Sequence, residues 1–136
     1  MKFIVFGGDG FCGWPTTLYI ASQGHSVVVV DNLSRRDIDT ELESKSLLDI
    51  AAIDRRIEVA RSLVGDVSFV RLDISKDVDG LRSLIAEVMP DAVVQFAEQR
   101  AAPYSMIGDV QRRYTVDNNI SGTHNICSAL VDIHPS

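Results

Sequence analysis

A doubly wound α/β fold, with about four parallel strands in the order 3-2-1-4 and helices on both faces, is predicted by three observations. Short apolar runs alternate with stretches of helical period. Two of those runs are nearly continuous in Val and Ala, the pattern of strands covered on both faces. A cluster of glycines sits directly between the first run and the first helical stretch.

The elements follow in order. Residues 2–6 (KFIVF), 26–30 (SVVVV), 67–72 (VSFVRL) and 92–96 (AVVQF) read as strands. Helices are expected at about 12–23, 46–63, 78–88 and 109–132. Pro15 lies near the start of the first helix, where a missing N–H costs little. Gly24 stands where that helix needs a left-handed residue to stop, Asp77 is placed to cap the third helix, and Pro90 prevents its continuation. Residues 32–45 (NLSRRDIDTELESK) form the one long polar connection, expected as a loop. The 136 residues suit one compact domain spanning 1–136.

Composition excludes several classes. The net charge of −6 argues against nucleic acid, which needs a basic face. The two cysteines, Cys12 and Cys127, form no CxxC pair, and His25, His124 and His134 form no HExxH pattern, so neither a disulfide framework nor a metal site is expected. No apolar run approaches the roughly 18 residues of a membrane span, and none resembles a secretory signal, so a cytoplasmic location is expected.

The chemistry begins at residues 7–13, GGDGFCG. Two registers fit, Gly8-x-Gly10-x-x-Gly13 and Gly7-x-x-Gly10-x-x-Gly13. In either, glycines permit the tight turn out of the strand, leave room for a pyrophosphate, and let the helix pack close to the sheet; this is the dinucleotide-binding turn of a Rossmann-type fold. The anion then meets unpaired N–H groups at a helix N-terminus. No Gly-Lys-Ser/Thr closes the turn, which excludes a P-loop. Asp31 ends the VVVV run 18 positions beyond Gly13, at the carboxyl end of the second strand. A carboxylate there accepts hydrogen bonds from ribose hydroxyls and repels a 2′-phosphate, favouring NAD over NADP; Arg35 and Arg36 nearby could instead hold such a phosphate or form a solvated pair. Asp73, after the third strand, could cap its loop or accept from an adenine amino group with Ile74 packed on the ring.

Taken together, GGDGFCGW, DNLSRR, RLDIS and NNISGT resemble the extended short-chain dehydrogenase/reductases, the NAD-dependent epimerase/dehydratase family. Within it, Glu98-Gln99-Arg100 followed by Ala102-Pro103-Tyr104-Ser105-Met106 is similar to the UDP-sulfoquinovose synthases of sulfolipid head-group synthesis. Two positions depart from that pattern: Gln95 stands where histidine is expected and Ala97 where glycine is.

The resemblance implies NAD as a tightly held cofactor, and UDP-glucose and sulfite as substrates. A hydride passes from C4 of the sugar to NAD⁺, giving a 4-keto sugar; water is lost across C5–C6, sulfite adds at C6, and the hydride returns. It further implies that Asp9, Gly10, Phe11 and Cys12 cradle the pyrophosphate between Gly7 and Gly13. Asp31, Asn32 and Arg36 would hold the adenosine ribose with Ser34 and Arg35 nearby, and Asp73 and Ile74 would flank the adenine. Phe96, Ala97 and Glu98 would line the ribose–nicotinamide path, Asn118 and Asn119 would face the site from the fourth helix, and Gln99 and Arg100 would lie on the substrate side. A homodimer is implied for the full-length enzyme.

No catalytic residue is assigned. The family's base is the tyrosine of a Tyr-x-x-x-Lys pair, and none of Tyr19, Tyr104 and Tyr114 has lysine four positions on. The chain is therefore expected to be the cofactor-binding portion of a longer enzyme and inactive alone, with Tyr104 the only stand-in. Two other readings stay open: another NAD-dependent nucleotide-sugar epimerase or dehydratase, and a non-catalytic NAD-binding module.

Overall fold

The computed structural model describes residues 1–133; His134 lies outside them. Strands β1 (Lys2–Phe6), β2 (Ser26–Asp31), β3 (Val67–Arg71) and β4 (Ala92–Gln95) form a parallel sheet in the order β3-β2-β1-β4, as the alternation of runs predicts. The register pairs Phe6 with Val30 on one side and with Gln95 on the other, so the ends of β1, β2 and β4 lie level.

The two-residue period of the strands divides the core between the faces. Ile4, Phe6 and Val30 pack with Leu81, Ile85, Ile126 and Ala129 from helices α4 (Val78–Val88) and α7 (Gly122–Ile133). Val5, Val27 and Val29 pack on the opposite face with Ala21 of α1 (Gly13–Ser22) and Ile53, Ile57 and Ala60 of α3 (Ile53–Val64). Local signals place the ends. Gly24 adopts φ +82° and donates its N–H to the Ala21 carbonyl at 2.9 Å. Asp77 accepts from the Gly80 N–H at 2.9 Å, the expected cap of α4.

Three expectations need correction. The helix expected at 46–63 begins only at Ile53, because Leu47 and Leu48 lie in water, 104% and 82% exposed, whereas Ile53, Ile57 and Ala60 share the stripe that reaches the sheet. The polar stretch 32–45 is not all loop. It contains α2 (Ser34–Glu41), started by two side chains folding back on the backbone: Asp31 accepts from the Leu33 N–H at 2.8 Å and Asn32 from the Ser34 N–H at 2.9 Å. The helix expected at 109–132 is broken into α6 (Asp109–Val116), a π-helical turn (Asp117–Ser121) and α7, and a short α5 (Ala102–Ile107) precedes it.

A cofactor groove at the carboxyl ends of the strands

From β1 the chain runs to β2 and β3 on one side and then returns to β4 on the other. The crevice where this order reverses is where ligands bind in open α/β sheets. A groove of about 580 Å³ lies there. It is lined by the glycine turn, by Val30, Asp31 and Asn32 after β2, and by the segment from Gln95 to Ala101 after β4.

The glycine turn adopts the geometry of the Gly7–Gly10–Gly13 register. Gly7 has φ +72°, and a Cβ on it would sit 2.5 Å from the Ala97 nitrogen. A Cβ on Gly13 would come within 2.7 Å of Gly8 Cα, so α1 can approach the turn only with glycine at that position. Gly8 serves packing instead, facing Val29. Among the described residues none accepts from the amide N–H of Phe11 or Cys12. These free donors at the start of α1, with the Phe11 side chain 80% exposed, suit a pyrophosphate.

Asp31 caps β2 with its carboxylate toward the groove. One oxygen accepts from the Leu33 N–H and the other from the Asp9 N–H at 3.0 Å. Burial pushes its carboxyl above the ordinary value, against the lowering effect of these two hydrogen bonds. Asp9 itself is turned inward. Its carboxylate accepts from Arg36 Nε at 2.9 Å and Nη2 at 2.7 Å, and also from Arg56 Nη1. Arg36, expected at the ribose, is thus engaged with Asp9, and Arg35 faces Asp39 at 3.8 Å. Asp73 makes the loop cap, accepting from the Ser75 N–H and hydroxyl at 3.0 and 2.6 Å. Burial would raise the Asp73 carboxyl, but the bonds from Ser75 and Asn32 together with Lys76 outweigh it and hold it below the ordinary value. Ile74 is buried against Gly122 and borders the groove.

On the other wall, the π-helical turn presents two asparagines to the segment after β4. Asn118 donates to the Ala97 carbonyl at 3.1 Å. Asn119 accepts from the Gln99 N–H at 2.8 Å and donates to the Gln99 carbonyl at 3.0 Å. Gln95 adds a further tie: it donates to Thr123 at 3.2 Å and accepts from the Ala97 N–H at 3.0 Å. Phe96, Ala97, Glu98, Gln99 and Arg100 therefore border the groove on a segment held at its backbone.

Residues 3–135 match the NAD dependent epimerase/dehydratase family. The chain belongs to that family. NAD is accordingly its cofactor, and the free N–H groups of the turn, the Asp31 carboxylate and the 580 Å³ groove fit it. Of the expected site residues of this epimerase/dehydratase family chain, the groove gathers all but Arg36, Asp73 and Asn119, which stand behind its wall.

The chain is 40% identical to the chloroplastic UDP-sulfoquinovose synthase of Spinacia oleracea over 95% of its length and 27% of that protein's. It is 37% identical to the UDP-sulfoquinovose synthase of Sulfolobus acidocaldarius over 100% of its length and 35% of that protein's. It thus spans about a third of the length of these curated relatives. Among solved structures it is similar to the UDP-glucose-4-epimerase of Stenotrophomonas maltophila, crystallised with bound NAD and formylated UDP-arabinopyranose, with TM-score 0.73 and 28% identity over 98% of this chain and 34% of that one.

One residue of the site, Arg56, carried no sequence signal. Arg56 lies 25 positions beyond Asp31 on a helix whose role looked purely structural. Tyr104 donates to Glu41 at 3.4 Å and Tyr114 to Ser34 at 2.8 Å, tying α5 and α6 to α2 across the groove. Burial and then the Glu41 carboxylate push the Tyr104 hydroxyl up, the opposite of what a tyrosine base requires.

Proposed function

We propose that residues 1–136 form the NAD-binding portion of a longer enzyme of the UDP-sulfoquinovose synthase type, acting on UDP-glucose and sulfite. The observation that carries this reading is the segment after β4. Two hydrogen bonds from Asn119 hold the Gln99 backbone, and Arg100 next to it borders the groove with its side chain exposed. A guanidinium on a fixed backbone at the mouth of a nicotinamide groove suits an anion such as sulfite or a sugar diphosphate. The higher identity to the two synthases than to the epimerase of known structure supports the same reading.

NAD, when bound, supplies reversible hydride acceptance at C4 of the sugar. This chain's residues bind and orient: the glycine turn holds the pyrophosphate, Asp31 the ribose, and Phe96, Ala97 and Glu98 the path to the nicotinamide. The family's Tyr-x-x-x-Lys pair has no match in residues 1–136, so the proton at the sugar hydroxyl is assigned to a base elsewhere in the longer enzyme.

The test is an assay of the full-length protein with UDP-glucose, with and without sulfite. Formation of UDP-sulfoquinovose that depends on sulfite, and that falls with Arg100→Ala while NAD affinity holds, is expected. Residues 1–136 alone should give no turnover. Sulfite-independent interconversion of UDP-glucose and UDP-galactose would overturn the reading in favour of a 4-epimerase.

A further inference from the structure

Two arginines and two aspartates meet behind the glycine turn. Asp9 is 5% exposed at its side chain, and Arg36 and Arg56 both close on its carboxylate. Arg56 also sits over the Trp14 ring, its Cζ 4.0 Å from the centroid, and donates to the Asp9 carbonyl at 3.3 Å. The Asp9 N–H meets the Asp31 carboxylate at 3.0 Å, so one residue joins the acid that reads the ribose to both arginines. Formally the group is neutral. An arginine pair this close to the end of β2 is what a 2′-phosphate needs, since guanidinium forks match phosphate oxygens. Here Asp9 already engages both, Arg36 through Nε and Nη2 and Arg56 through Nη1.

We propose that Asp9 determines cofactor choice: its carboxylate sequesters Arg36 and Arg56, which would otherwise make a 2′-phosphate site beside Asp31. NAD selectivity then has two sources. Asp31 repels the phosphate directly, and Asp9 withholds the donors that could compensate. The position of Asp9 inside the glycine turn gives this form: its backbone supports Asp31 while its side chain points away from the pyrophosphate into the space between α1, α2 and α3. Without the Asp9 charge the group carries one net positive charge and two guanidiniums with donors to spare.

The inference rests on NAD binding and on nothing in the sugar chemistry, so a failed sulfite assay leaves it standing. The experiment is calorimetric titration of the purified full-length protein with NAD and with NADP, for wild type and Asp9→Asn, a change that keeps the backbone bond to Asp31. The ratio Kd(NADP)/Kd(NAD) should exceed one in wild type and fall by about tenfold or more in Asp9→Asn, the order of one charge-assisted hydrogen bond. Adding Arg36→Gln to Asp9→Asn should restore the ratio. Arg36→Gln alone leaves Asp9 on Arg56 with excess negative charge, and should raise the ratio; this variant decides the matter should Asp9→Asn fail to fold. A ratio unchanged in the variants that fold, with both cofactors weakened alike, would mean that Asp9 only braces the turn and would overturn the proposal, as would a wild-type preference for NADP.

Discussion

Asp9, Asp31 and Asp73 all lie at or just beyond the carboxyl ends of strands, yet their surroundings differ. Burial raises the Asp31 carboxyl, so its stabilising contribution is present below an unfolded value of about 3.9 and is lost as pH rises through the folded one. Asp73 has the opposite sign. Its folded value is lowered, so its contribution is present above about pH 3.9 and is lost as pH falls through the folded value. Asp73→Asn should therefore cost about 1–3 kcal/mol near pH 6, the usual loss for hydrogen bonds to a partly buried carboxylate. The gap between thermal melts of wild type and variant should begin to narrow below pH about 4 and close only below the lowered folded value, where both carry a neutral side chain. A gap that stays constant to pH about 3 would show that charge has no part in the loop cap.

At the scale of elements, the break between α6 and α7 is what brings Asn118 and Asn119 to the segment after β4. A continuous α-helix advances 100° per residue, whereas the wider π-helical turn re-aims its side chains, a device common at functional sites. The result is a backbone clamp in which one amide side chain satisfies both polar groups of Gln99. Asn119→Ala would leave that N–H and carbonyl unpaired. Amide hydrogen exchange at Gln99 should quicken by about tenfold, the equivalent of one hydrogen bond of local opening, while exchange in β1 stays slow. Unchanged exchange at Gln99 would mean that Gln95 and Asn118 suffice to hold the segment.

For the whole molecule the sheet sets both the site and a liability. The groove exists because β2 and β4 flank β1 and end level with it. Among the described residues β4 pairs only with β1, and β3 only with β2, so each presents a row of free backbone groups. The apolar side chains of Met106, Val110, Val116 and Ile120 are also exposed. Purified residues 1–136 should accordingly self-associate, with a sedimentation coefficient that rises with concentration. A species monomeric at all concentrations would show that α5 and α6 shield the edge.

Residue order by itself determined the strands, their parallel sense and order, the glycine turn, and Asp31 at the end of β2. These follow from local periodicity and from backbone demands that a single residue meets, as Gly7 does with its positive φ. Tertiary structure alone decided what each polar side chain touches. Helix α2 forms because Asp31 and Asn32 fold back onto the next amides, a contact weaker than any apolar stripe and invisible to periodicity. The π-helical turn has no composition of its own. Arg56 reaches Asp9 across 47 positions only because α3 docks beside α1, burying Ile57 and leaving its neighbour to settle on Trp14. Periodicity reports which face of an element is buried; it carries no information about which distant charge that burial brings within reach.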